Sequence, residues 1–203
     1  MIGILNYGSG NIQAIINILK ILNLEFILIN NKNQFSKISK IILPGVGSFD
    51  SVMSELNRSG LKDKLNEFVL LKKKPILGIC VGMQIMANFS DEGKLKGLGW
   101  VDGYVKKFPN SEKIKPSYPH MGWNIVKAND DTLFKDVNKP LGFYFIHSYY
   151  FICKSKKNIL SSTNYHFNFT SSIKLNNIYG VQFHPEKSHG NGMKIFQNFS
   201  KIN

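Results

Sequence analysis

The chain has 203 residues, of which 43% are hydrophobic and 19% charged, a balance that suits one domain with a substantial apolar core. Its net charge of +13 would suit a nucleic-acid binder, yet of 26 basic residues only Arg58 is arginine, and bidentate readout of phosphate or guanine relies on arginine. The scattered lysines, densest at Lys72-Lys73-Lys74, read as a solvated surface, so no nucleic-acid partner is expected.

No apolar run reaches the roughly 20 residues of a membrane helix, and the start carries no basic leader ahead of an apolar segment. Only two cysteines occur, Cys80 and Cys153, too few for a disulfide scaffold. A reducing cytoplasm is the expected location, with no membrane partner.

Residues 2–7 (IGILNY) predict a buried strand. Gly8-Ser9-Gly10-Asn11 follows as a tight turn, without the third glycine of a dinucleotide fingerprint, and then a helical pattern runs to about Leu22. Residues 25–30 and 40–43 are further short apolar strands. Helical periodicity returns from Phe49 to Leu71, with a break at 58–60. Residues 75–79 predict a strand, and Val81 to Phe89 a helix. Strands alternating with helices imply parallel pairing through right-handed crossovers. Beyond residue 95, apolar and aromatic residues alternate with polar ones through 100–108, 123–127, 142–152, 159–165 and 170–183. These predict antiparallel strands, closed by a helix from about Gly190 to Ile202. The expected fold is an α/β three-layer sandwich: a central, mostly parallel sheet, helices on both faces, and antiparallel strands in the C-terminal half. With no internal repeat and no linker, residues 1–203 read as a single domain.

Gly78-Ile79-Cys80-Val81-Gly82 lies where an apolar strand gives way to a helix. Small residues at minus two and plus two allow a strained elbow that lifts a nucleophile above the sheet. The helix N-terminus beyond it favours a thiolate. Alone, the pattern fits a core cysteine about as well as a catalytic one. Val181-Gln182-Phe183-His184-Pro185-Glu186 supplies the rest of a constellation. In extended chain, residues two apart share a side, so Glu186 can orient the His184 ring. A surface pair at a strand end would look the same in isolation, but the two motifs together favour nucleophile, base and orienting carboxylate.

Pro44-Gly45-Val46-Gly47-Ser48-Phe49 again ends an apolar strand. Its glycines free the backbone to turn N–H groups toward an anion, although an ordinary strand-to-helix turn would also fit. In α/β sheets the C-terminal strand ends share one edge, where all three segments would converge. His120, His147, His166 and His189 are not spaced as a metal set, and Cys153 reads as core. Neither a metal nor another cofactor is expected.

GICVGMQ at 78–84 and HPE about a hundred residues on resemble the class I, triad-type glutamine amidotransferases. PGVGSF at 44–49, PHMGWN at 119–124, YFIHSYY at 144–150 and GVQFHPEKS at 180–188 extend the likeness over essentially the whole chain. They narrow it to the branch of glutaminase subunits of imidazole glycerol phosphate synthase. The resemblance implies that Cys80 is the nucleophile, His184 the base and Glu186 its orienting partner. By the same token Val81 and the Gly45–Val46 peptide would form the oxyanion hole, and Gln84, His147, Ser148 and Tyr149 would hold L-glutamine. Met121, Trp123, Asn124, Tyr144 and Lys187 would face a (βα)₈-barrel cyclase partner that receives the ammonia, in histidine biosynthesis.

Three alternatives stay open on the sequence. A paralogue could feed ammonia to another acceptor, such as a sugar being amidinated. The elbow could belong to a cysteine peptidase or other hydrolase, or the basic surface to an RNA-binding protein.

Overall fold

A computed structural model of the chain describes residues 1–109, 118–129 and 132–203. The order begins with β1 (Ile2–Leu5), α1 (Ile12–Ile21), β2 (Phe26–Ile29) and β3 (Lys40–Leu43). It continues with α2 (Phe49–Arg58), α3 (Lys62–Asn66), β4 (Ile76–Ile79) and α4 (Val81–Gln84). Every residue of β1, β3 and β4 is buried, as parallel strands covered on both faces must be. The strands run in the order β2-β1-β3-β4, all parallel. The β1-to-β2 and β3-to-β4 connections therefore step in opposite directions. Right-handed crossovers then put α1 on one face of the sheet and α2 with α3 on the other.

The rest of the chain supplies β5 (Phe89–Ser90), β6 (Gly103–Lys107), β7 (His120–Asn124), β8 (Lys127–Ala128), β9 (Phe143–His147) and β10 (Tyr149–Cys153). Then come β11 (Ile159–Asn164), β12 (Asn168–Leu175), β13 (Ile178–Val181) and α5 (His189–Lys201). β13 inserts beside β4 and runs parallel to it, with Val181 opposite Ile79. On its other side it is antiparallel to β12, and β10 and β6 extend the sheet. β7 and β9 form a separate antiparallel pair. Among the described residues the architecture is the expected α/β sandwich, parallel first and mainly antiparallel later.

Two segments differ from the sequence reading. The helix expected over Val81 to Phe89 stops after Gln84, because the carbonyls that would continue it are taken. Those of Ile85, Met86, Ala87 and Asn88 accept from the N–H groups of residues 97–101 instead, and the chain turns into β5. The single strand expected over 142–152 is two strands, broken at Ser148, so that β9 leaves the main sheet to pair with β7.

Candidate active site

Cys80 connects β4 to α4 with φ +54° and ψ −114°, a combination that persists only where surroundings impose it. Its N–H donates to the Val181 carbonyl at 2.8 Å, and its carbonyl accepts from Met83 and Gln84 in the first turn of α4. Glycine on either side is a matter of contact. A Cβ on Gly78 would lie 2.6 Å from Met86 Cε, and one on Gly82 would fall on the Leu43 carbonyl oxygen. The elbow follows from how closely β3, β4 and α4 approach one another.

His184 continues β13 in extended conformation. Its N–H donates to the Tyr144 carbonyl at 2.9 Å, and its carbonyl accepts from the Ser188 hydroxyl at 2.6 Å. The ring places Nδ1 2.7 Å from Glu186 Oε1 and lies close enough to the Cys80 sulfur for that group to raise its proton affinity. With the His184 and Glu186 side chains only 4% and 2% exposed, this is no solvated surface pair. Burial draws the imidazole toward its neutral form, but the Cys80 sulfur and the Glu186 carboxylate outweigh burial and push it up to about 10. The ring is therefore held toward its protonated form by the two neighbours. Glu186 Oε2 has no hydrogen-bond partner among the described residues, so the carboxylate is committed to the ring.

The 44–49 turn leans on this elbow: a Cβ on Gly45 would strike the Gly82 backbone nitrogen. Val46 is half-exposed at the cleft. Its N–H donates to Ser9 Oγ at 3.0 Å, and the same hydroxyl donates to the Val46 carbonyl at 2.9 Å. The Tyr7 hydroxyl holds the Pro44 carbonyl. The first loop thus latches the turn, with the Val46 N–H engaged by Ser9.

A cleft of about 320 Å³ opens over Cys80. Val46, Val81, Gln84, His147, Ser148, Tyr149 and His184 all line it. Glu92 lines it too, a residue just beyond the helix expected over Val81 to Phe89, to which the sequence reading gave no role. Its Oε2 accepts from the Phe49 N–H at the start of α2 at 2.8 Å, and burial raises its pKa.

Behind the cleft runs a directed chain of hydrogen bonds. The Tyr149 carbonyl accepts from His147 Nδ1 at 2.7 Å and from Gln84 Nε2 at 3.1 Å. With its proton on Nδ1, His147 offers Nε2 as acceptor to His120 Nδ1 at 3.0 Å. His120 Nε2 then accepts from Asn124 Nδ2 at 3.2 Å. Each ring must be neutral for this to close, and burial lowers His147 to about 3 and His120 to about 4. Sequence spacing gave no sign of the His120–His147 contact, because it forms across the β7–β9 pair with these residues opposite each other.

Met121 and Trp123 project from the other side of β7 and are exposed. Trp123 stacks on His189 with ring centroids 5.3 Å apart, and Lys187 Nζ lies 5.7 Å from the centre of the Tyr144 ring. Asn124 turns inward, to His120 and to the Asn164 carbonyl. No group of three or more His, Cys, Asp or Glu side chains among the described residues could hold a metal. No helix among them is long and apolar enough to cross a membrane.

Comparison with known proteins adds to this geometry. The family model for glutamine amidotransferase class-I matches residues 3–202. The imidazole glycerol phosphate synthase subunit HisH of Leptospira borgpetersenii is 48% identical over 204 residues, covering 100% of both chains. HisH 2 of Methanococcus maripaludis is 50% identical over 202 residues, covering 99% of each. A crystal structure of a glutamine amidotransferase superposes with a TM-score of 0.72 at 15% identity, covering 99% of each chain, a likeness of fold.

Proposed function

The chain belongs to the class-I glutamine amidotransferase family, and from that premise we propose that it is the glutaminase subunit of an imidazole glycerol phosphate synthase, acting in histidine biosynthesis. The observation that carries the chemistry is the buried array of Cys80 and His184 lining the cleft, with Glu186 on the His184 ring behind them. The Cys80 thiolate attacks the γ-carboxamide carbon of glutamine. His184 passes its proton to the departing nitrogen, which leaves as ammonia, and Glu186 keeps the ring aimed throughout. Water then adds to the thioester with His184 as base, the C–S bond breaks, and glutamate leaves with the thiolate restored.

Charge developing on the carbonyl oxygen needs donors, and Val81 at the start of α4 and the Gly45–Val46 peptide are the candidates. Gln84 spends both amide hydrogens on Tyr149 and Gln182, leaving only its oxygen for the substrate. An acceptor there, with the Glu92 carboxylate, suits the α-ammonium end of glutamine. Ser148 and Tyr149 stand at the same rim.

Ammonia loses its nucleophilicity once protonated in bulk water, so a partner that receives it directly is part of the reading. The exposed Met121 and Trp123, with Tyr144 and Lys187 close by, form the surface assigned to a cyclase subunit. Because Ser9 engages the Val46 N–H, the isolated chain is a slow glutaminase, and docking of the loaded partner frees that group. Gly47, with φ +114° and no atom near its missing side chain, is the point about which the turn can rotate.

The test joins two assays. Cys80→Ala abolishes glutamine-dependent synthesis while the complex still uses added ammonium salt; loss of both would assign Cys80 to structure alone. Restored growth without histidine in a strain lacking the authentic subunit identifies the acceptor. Failure there, with glutaminase activity intact, would move the chain to another ammonia acceptor.

A further inference from the structure

Gln182 is fully buried on the segment between β13 and His184, and no part of the mechanism above uses it. Its side-chain nitrogen lies 3.7 Å from the Cys80 sulfur. We infer that Gln182 is a positioning residue for the nucleophile, donating its amide N–H to the sulfur so that the thiolate is favoured and held in place. The inference deepens the glutaminase reading and rests on it.

Which end of the Gln182 amide faces the sulfur is decided by its neighbours. The anchor is the Tyr149 main-chain carbonyl, which cannot donate and cannot flip. Gln84 must therefore present its nitrogen there, at 3.1 Å. The same nitrogen lies 2.9 Å from Gln182 Oε1 and gives it the second hydrogen. With the oxygen of Gln182 fixed toward Gln84, its nitrogen is left for Cys80. Reversing either amide would set two acceptors or two donors against each other in a buried site. The sulfur thus has two neighbours able to donate to it, the Gln182 amide at 3.7 Å and the His184 ring whose proton affinity it raises, both from one side of the extended segment after β13.

The two donors differ in what the reaction asks of them. The His184 proton leaves with ammonia in the first half. In the second half the ring is first neutral and regains a proton from the attacking water before the C–S electron pair returns to the sulfur, so its charge beside the sulfur changes at each stage. Gln182 has no proton to lose at any stage. It remains on the sulfur when the thiolate attacks and again when the thiolate departs, and a hydrogen bond to the charged form favours that form.

The experiment is the pH dependence of Cys80 alkylation by iodoacetamide in the full chain, followed by mass spectrometry. Cys153 is the internal reference, since burial pushes its thiol up to about 12. Gln182→Met keeps length and removes the donor, and Gln182→Glu sets a second negative charge beside the thiolate. The expected result is a midpoint about one pH unit higher for Gln182→Met, roughly tenfold slower labelling below it. The shift is larger for Gln182→Glu, and the high-pH plateau is unchanged in both. An unshifted midpoint in Gln182→Met overturns the inference, as does a plateau that falls without a shift, which is the mark of a disturbed core. If a glutamine-derived chloroketone fails to label Cys80 in the unmodified chain, the glutaminase reading falls, and this role with it.

Discussion

The parallel strands β1 to β4 and the antiparallel strands that follow β5 present different kinds of group to the same cleft. From the parallel half come turns: the Cys80 elbow and the 44–49 segment, both governed by close backbone contact. From the antiparallel half come side chains: His147 from β9, with Ser148 and Tyr149 at the β9–β10 break. β13 belongs to both halves, parallel to β4 and antiparallel to β12, and it delivers His184 and Glu186 to Cys80. The contrast has a physical basis. An anion that forms transiently is best met by N–H groups fixed in strained turns, which need no rotamer. Proton transfer and substrate binding need side chains whose orientation is set by other side chains.

If that division holds, the largest loss comes at β13, where the halves join. Glu186→Gln keeps the shape but replaces an acceptor with a group that can donate to His184 Nδ1, and so favours the wrong ring tautomer. Glutamine hydrolysis by the partner-bound chain should fall about 10³-fold or more, with binding of glutamine little changed. A fall of under about tenfold would mean that the carboxylate is not what aims the ring.

The next effect belongs to the parallel half and is read as stability. Glycine to alanine within a helix normally stabilises by about 1 kcal/mol. At Gly82 the added carbon would meet the Leu43 carbonyl oxygen, so the sign reverses. Gly82→Ala should lose about 3 kcal/mol or more in urea unfolding, or fail to fold. A neutral result would show that α4 can move off β3 at little cost, and that the elbow is not set by packing.

The parallel half was the legible one. A short apolar strand, a glycine and a turn are local signals, and β1 to β4, the elbow and the 44–49 turn all lie where the residues predict them. The His184–Glu186 contact was legible from the two-residue spacing, but not its geometry: Pro185–Lys187 forms a 3-10 turn rather than extended chain, and Glu186 reaches the ring from that turn. What escaped was non-local. Gln84 and Gln182 meet across 98 positions, and His120 and His147 through the register of β7 on β9. Glu92 was hidden by a second effect. The apolar pattern after Cys80 predicts a helix to Phe89, and the competing donors of residues 97–101 end it at Gln84 and turn the chain so that Glu92, beyond it, reaches the cleft. Ser9 read as part of a tight turn, and its bonds to Val46 depend on β1 and β3 being neighbours.

The buried histidines of the antiparallel half and the one at β13 predict opposite pH responses. An unfolded imidazole binds its proton near 6.5, whereas folded His120 does so only near 4. Between those values the unfolded chain holds more protons, so stability falls as pH drops through 6.5. His184, raised to about 10, contributes stability below 6.5 that is lost as pH rises through 10. His120→Phe fits between the Phe145 and Tyr165 rings that flank the imidazole and removes one titrating group. Thermal unfolding of the variant should fall less steeply from pH 6.5 to 4, by up to about 1.4 kcal/mol per pH unit. Equal slopes would show that His120 gains its proton in the folded state as readily as in the unfolded one.

The smallest effect probes whether the turn of the parallel half is held by its own backbone or by the first loop. Ser9 Oγ both accepts from the Val46 N–H and donates to the Val46 carbonyl, so it fixes the orientation of the peptides on either side of Val46. Ser9→Ala removes both bonds, at a cost of about 1 kcal/mol in stability. The same amount of free energy shifts the balance toward a freed Val46 N–H by roughly fivefold. Glutamine hydrolysis by the isolated chain should rise by about that factor, while the rate in the loaded complex stays where it was, because there the latch is already open. Ser9→Thr keeps the hydroxyl and should restore the slow state. If the isolated chain with Ser9→Ala is no faster than the original, the latch on Val46 is not what limits it. The resting state would then have to be traced to the antiparallel half, through the Asn124–His120–His147 chain that reaches the cleft from β7.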